Sequence, residues 1–216
     1  MKKTFLLSLV ALFISLTGNS QSVSDLFTKS ETKIYWLGID FSHVKLIGDF
    51  TQFAEAGAVP TTTMKKKYFP AWNDLIIKEK EKYDIGGMLR KENIIFSTDA
   101  IAKINATTAT EEMEADSGPN YTKEDIQKFL KGYDLGQKDG IGVLFVAESL
   151  NKSREQGKFH FVAVNLATNE ILLHEAFEGK PAGFGVRNYW ARSYYEVIVE
   201  IRDKKYKSWK KQLGLK

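Results

Sequence analysis

The chain has 216 residues, no cysteine, and 31 Lys+Arg against 27 Asp+Glu, for a net charge of +4. Without cysteine no disulfide can staple the fold, so a buried core must hold it. A charge this small gives no argument for a nucleic-acid partner.

Residues 1–20 read as an export signal. Lys2 and Lys3 precede an apolar run from Phe5 to Leu16, and Gly18 and Ser20 supply small residues ahead of Gln21. The run is twelve residues long, too short to span a bilayer and suited to a leader peptide cut between Ser20 and Gln21. Cleavage would leave one domain over 21–216 with a net charge of +2, because Lys2 and Lys3 depart with the leader. No cysteine is present to take a lipid anchor, so the product is expected to be soluble, in the periplasm or outside the cell. No later run has the ~18 apolar residues of a membrane helix.

β-Branched and aromatic residues from Lys33 to Gly48 predict one long strand, or two joined near Asp40–Ser42, with a bulge about Gly38. Asp49 is placed to cap a helix of one or two turns over 49–57. Phe69, Trp72, Leu75, Ile76 and Tyr83 recur at helical spacing. They predict a helix from Pro70 to Tyr83, with a separate turn from Thr63 and a break at Ile85-Gly86-Gly87. Ile94–Phe96 favours strand while Asp99 favours a short helix through Ile104, and both readings stay open. Residues 107–121 hold few large apolar side chains and end in Gly118-Pro119-Asn120, the pattern of a mobile loop.

Thr122 and Asp125 form a capping box for a helix ending near Gly132. Three strand runs follow, starting at Ile141, Lys158 and Glu170. The last two join across Ala167–Glu170, where Asn169 suits a positive φ, and the three make an antiparallel meander. A long helix starts near Val186, with Val186, Trp190, Tyr194, Val197 and Ile201 as one apolar stripe. Its basic end, Arg202 to Lys216, complements the helix dipole. The expected fold class is α+β: a single domain with a mixed sheet, a C-terminal three-stranded antiparallel meander packed by helices, and a long C-terminal helix.

Candidate chemistry is sparse. Gly179, Gly183 and Gly185 precede the last helix and Arg187 sits in its first turn, where a cation opposes the dipole. That misfit calls for an anionic ligand or an internal carboxylate. Asp40, Ser42 and His43 lie close together at the expected bend, but a strand supplies neither a constrained nucleophile nor an oxyanion hole. Asp40 and His43 are nevertheless the site candidates of the first half. The three histidines, His43, His160 and His174, lack the spacing of a local zinc site. Centring the hairpin on Ala167–Glu170 sets Ala163 opposite His174 and His160 opposite Phe177. The two rings would then lie on opposite faces and could not share a metal. Asn105, Asn120 and Asn151 open glycosylation triplets that matter only in a eukaryotic secretory path. No cofactor motif is present.

The leader ending near Ser20-Gln21, with "VAVNLATNEILLHEAFEGK" and a helix after it, resembles small exported proteins of Bacteroidetes. The segment "FVAVNLATNEILLHEAFEG" is similar to the strand–turn–strand of periplasmic domains resembling the TolB N-terminal domain. The likeness covers about Ile141 to Tyr206 and implies an envelope-associated α/β module for assembly or binding, without catalysis. Many such relatives carry a lipid anchor, from which the absence of cysteine departs. The expected function is therefore a non-enzymatic exported module that binds a protein or envelope component. An exposed apolar patch around Phe184, Tyr189 and Tyr195 would suit it. The alternative is a small hydrolase or anion-binding enzyme with its site near His43 or Gly183–Arg187.

Overall fold

The computed structural model describes residues 21–50, 53, 57–136 and 138–215. The expected leader lies outside them, as does most of the predicted helix over 49–57. The first half holds α1 (Asp25–Thr28), β1 (Ile34–Asp40), β2 (Lys45–Ile47), α2 (Thr61–Thr63), a π-helical turn (Met64–Tyr68), α3 (Phe69–Lys78), α4 (Ile85–Leu89), β3 (Ile94–Phe96) and α5 (Asp99–Ala106). The second half holds α6 (Lys123–Lys131), β4 (Ile141–Asn151), β5 (Gln156–Asn165), β6 (Glu170–Gly179), α7 (Gly185–Glu200), a second π-helical turn (Ile201–Lys205) and α8 (Tyr206–Gln212).

One open mixed sheet of six strands runs β3-β1-β4-β5-β6, with β2 beside the C-terminal end of β4. β1 runs parallel to β3 and β4, and β2 parallel to β4. β4, β5 and β6 form the expected antiparallel meander. On one face Trp36, Phe145, Phe159 and Phe161 pack against Trp72, Trp190, Tyr194 and Trp209 from α3, α7 and α8. On the other, Leu37, Leu144, Val146, Val162 and Val164 meet Ile101 of α5 and Ile126 and Leu130 of α6. Burial on both faces is why β4 reads as a continuous apolar run. The α7 stripe is buried at every predicted position, from Val186 to Ile201.

The bulge at Gly38 is present, between Trp36 and Gly38, with φ 107°. It admits Asn73 of α3, whose amide accepts from Ile39 N at 2.7 Å and donates to Ile39 O at 3.0 Å. From the opposite face Asn105 accepts from Phe41 N at 2.7 Å, so two side-chain amides finish the strand where β3 no longer pairs with it. Asn105 is consequently buried and closed to glycosylation.

Four local expectations are corrected. The turn expected to stand apart ahead of Pro70 does not: α2 and the π-helical turn run straight into α3, with Pro70 in the first turn of α3 as expected. The run ends at Lys78 rather than Tyr83. Ile85-Gly86-Gly87 does not break the chain but starts α4, since Asp84 accepts from Gly87 N at 2.7 Å and a Cβ at Gly87 would meet that carboxylate. Among the described residues of 49–57, Phe53 and Gly57 form a two-residue antiparallel bridge, not helix. Around Ile94–Ile104 strand and helix both occur, as β3 and α5. The 107–121 segment lacks regular structure yet is tied to β2 by Leu46 N to Met113 O and Ala115 N to Leu46 O.

Candidate functional site

The sheet face covered by α5 and α6 changes character along its strands. Near those helices it presents Leu144, Val146, Val162 and Val164. Two residues further on, the same alternation brings up Glu148 of β4, Lys158 and His160 of β5, and His174 and Glu178 of β6. A β-bulge between Ala147 and Ser149 leaves Glu148 unpaired and sets Ser149 opposite Lys158. Glu148 and Ser149 therefore both face this polar half.

Glu148 is buried, with a 1% exposed side chain, and its oxygens accept four hydrogen bonds. Oε1 takes Lys158 Nζ at 2.9 Å and Asn120 N at 3.3 Å; Oε2 takes His160 Nε2 at 2.9 Å and Tyr121 N at 3.1 Å. Burial by itself raises this carboxyl, but the bonds from His160 and Lys158 outweigh it and hold it below the ordinary range. The next link is His160 Nδ1 to His174 Nε2 at 2.8 Å. An ionised Glu148 only accepts, so His160 Nε2 donates to it, and one proton bridges His160 Nδ1 and His174 Nε2. Burial, helped by His160 and Lys123, pushes His174 down to about 4. His174 forms the half-buried end of a Glu148–His160–His174 chain.

This chain overturns the expected hairpin register. Val162 lies opposite His174 and His160 opposite Ala176, so both rings share one face. The turn begins one residue earlier than predicted, after Asn165, and Leu172 is an extra residue between the partners of Val164 and Ala163. The rings are joined by a hydrogen bond and not by a metal bridge. Two nitrogens bound to one tetrahedral zinc sit about 3.3 Å apart, and here the separation is 2.8 Å.

Above Glu148 lies a cavity of about 260 Å³ between the 116–120 loop and the β4–β5 hairpin. The loop is held by Asn120, whose φ of 55° turns its own N–H and that of Tyr121 toward the carboxylate. Asn120 Oδ1 also accepts from Lys158 Nζ at 3.0 Å. Ser149 and Asn151 line the cavity although they are only 5% and 9% exposed. Among the described residues the Ser149 hydroxyl, the Asn151 Nδ2 group and the Gln156 amide have no hydrogen-bond partner. These groups are not sealed away from solvent, and they open on the cavity.

The residues singled out from sequence lie elsewhere. Asp40 is fully buried; its Oδ2 accepts from Tyr133 Oη at 2.6 Å and its Oδ1 from Ser42 N at 2.7 Å. Burial, then the Asp40 charge, push the Tyr133 phenol far up, so this pair is a closed structural contact. The His43 ring stacks on Phe129 at 3.6 Å between centroids, and burial lowers its pKa. Neither Asp40 nor His43 lines the cavity above Glu148.

Gly183 and Gly185 adopt positive φ, 108° and 75°, and turn the chain into α7. The expected carboxylate partner of Arg187 is absent among the described residues. Its exposed guanidinium donates to Asn188 Oδ1 at 3.3 Å, while its carbonyl accepts from Trp72 Nε1 at 2.9 Å. Gly179 makes room for protein rather than ligand: a Cβ there would lie 1.9 Å from Ser193 O of α7. Phe184 is exposed, but Tyr189 and Tyr195 lean on Trp190 and Tyr83 and are partly buried. The anticipated apolar patch is reduced to Phe184 among these three.

Glu148, Ser149, Asn151 and the histidine pair were not singled out as a site from sequence. One signal was present: alternate positions of β5 read Gln156, Lys158, His160, then Val162, Val164. A face that switches from polar to apolar within one strand marks the edge of a core. No family model matches the chain, and no curated protein is similar to it in sequence.

Proposed function

We propose that this chain is an exported, non-enzymatic binding module of the periplasm or cell exterior, and that an envelope component engages the cavity above Glu148. The observation that carries this reading is the pair Ser149 and Asn151, nearly buried side chains whose polar groups are turned away from protein partners and open on the cavity wall. Polar groups that face a cavity are free to exchange solvent for the hydrogen bonds of a ligand. The adjacent carboxylate is saturated by four donors, so it sets the electrostatics of the floor and is not a free base. The leader-like first twenty residues and the likeness of the meander to TolB N-terminal domains support an envelope setting.

The test has two parts. Expression of the full chain with fractionation should yield a product beginning at Gln21 outside the cytoplasm. Titration of that product with solubilised envelope fragments should shift the resonances of Ser149 and Asn151. A product retained whole in the cytoplasm, or a fragment that is chemically turned over, would sink the reading.

A second reading is base catalysis, favoured by the Glu148–His160–His174 chain, which ends in an oriented His174 imidazole. Loss of a hydrolytic activity in His174→Asn with retained fold would establish it.

A further inference from the structure

We infer that the cavity above Glu148 takes a neutral, polyhydroxylated ligand of monosaccharide size, either a free sugar or the terminal residue of a glycan. This rests on the binding reading above and names the ligand class of the same site.

Size is the first argument. Pockets for drug-sized ligands run from about 300 Å³ upward, and this one is about 260 Å³. The polar groups of the wall point the same way. The Ser149 hydroxyl both donates and accepts, and the Gln156 amide does the same through separate atoms. Asp116 and Glu178 add acceptors at the rim, and Arg154 adds donors. A sugar hydroxyl also donates and accepts, so a vicinal pair answers such a mixed set, whereas a simple anion satisfies donors alone.

Charge points the same way. Arg154 and Lys158 stand against Asp116, Glu148 and Glu178, two cations to three carboxylates, and Lys158 is already paired with Glu148. A negative ligand would enter a site without surplus positive charge. A peptide is disfavoured by what the wall lacks. Ile47 is the one apolar side chain among the described lining residues, so no seat exists for an apolar peptide side chain.

The experiment is a titration of the mature protein, followed by amide and side-chain resonances. The probes are glucose, galactose, N-acetylglucosamine and a β-linked oligomer of the last. At least one should give saturable shifts at Ser149, Asn151 and Gln156. Affinity should fall about tenfold in Ser149→Ala and in Gln156→Ala, each with an unchanged circular dichroism spectrum. Tighter binding of the oligomer assigns a glycan terminus, and equal affinity assigns a free sugar; both support the inference. Sugar binding untouched by either variant overturns it, as does silence toward every sugar. If short peptides shift these resonances and sugars do not, the ligand class is wrong while the binding reading stands. If no envelope fragment of any kind perturbs the cavity, both fall.

Discussion

His160 Nδ1 and His174 Nε2 stand 2.8 Å apart on neighbouring strands because β6 carries Leu172 as an extra residue between the partners of Val164 and Ala163. Without that bulge the two rings would face opposite sides of the sheet. With it they extend the buried Glu148 carboxylate toward solvent, and the polar half of the face becomes one connected network.

The network predicts a pH dependence. His174 titrates near 6.5 when unfolded and is pushed down to about 4 in the fold. Between those values the unfolded chain binds a proton that the folded chain refuses. Stability is therefore full above about pH 6.5 and falls as pH drops toward 4. His43, also lowered by burial, acts in the same sense. Ring-proton titration should place the His174 midpoint near 4, and urea midpoints should decline from pH 7 to 4.5. A His174→Asn variant should show a shallower decline.

Glu148→Gln keeps the size of the side chain and removes the charge that Lys158 and His160 pair with. Breaking a buried pair while leaving its partner costs about 3 kcal/mol, readable by urea denaturation. Faster hydrogen exchange at the Asn120 and Tyr121 amides should accompany it, because both N–H groups bond to this carboxylate.

Ser149→Ala should behave in the opposite way. The hydroxyl has no protein partner to lose, so its removal should change stability by no more than about 0.5 kcal/mol. A large loss would mean that the hydroxyl has a structural role, contrary to its place in the proposed ligand seat.

Gly179→Ala tests the close approach of β6 to α7. An added Cβ would fall 1.9 Å from the Ser193 carbonyl oxygen, which belongs to helix backbone and cannot rotate away. Overpacking of this kind costs about 3 kcal/mol. Thermal unfolding should register it clearly, while Arg187→Ala, an exposed change without an ion pair, should not.

Much of the architecture follows from the sequence alone, because periodicity and caps are local. The meander, the Thr122–Asp125 capping box and the α7 stripe each depend on residues within a few positions of one another. Even the Gly38 bulge left a mark, as a slip in the alternation of β1. The stretch before Pro70 shows the limit of local reading: proline's place in the first turn of α3 is legible, but the π-helical turn that joins α3 to α2 is not. The candidate site lay further out of reach. Ile171, Leu172 and Leu173 are all apolar, so the pattern cannot say which of them is the extra residue. A one-residue shift reverses the face of everything that follows it along the strand. Only the tertiary structure, by burying one register of β6 against α6 and α7, decided that His174 meets His160. The same burial left Ser149 and Asn151 open on a cavity rather than closed in the core.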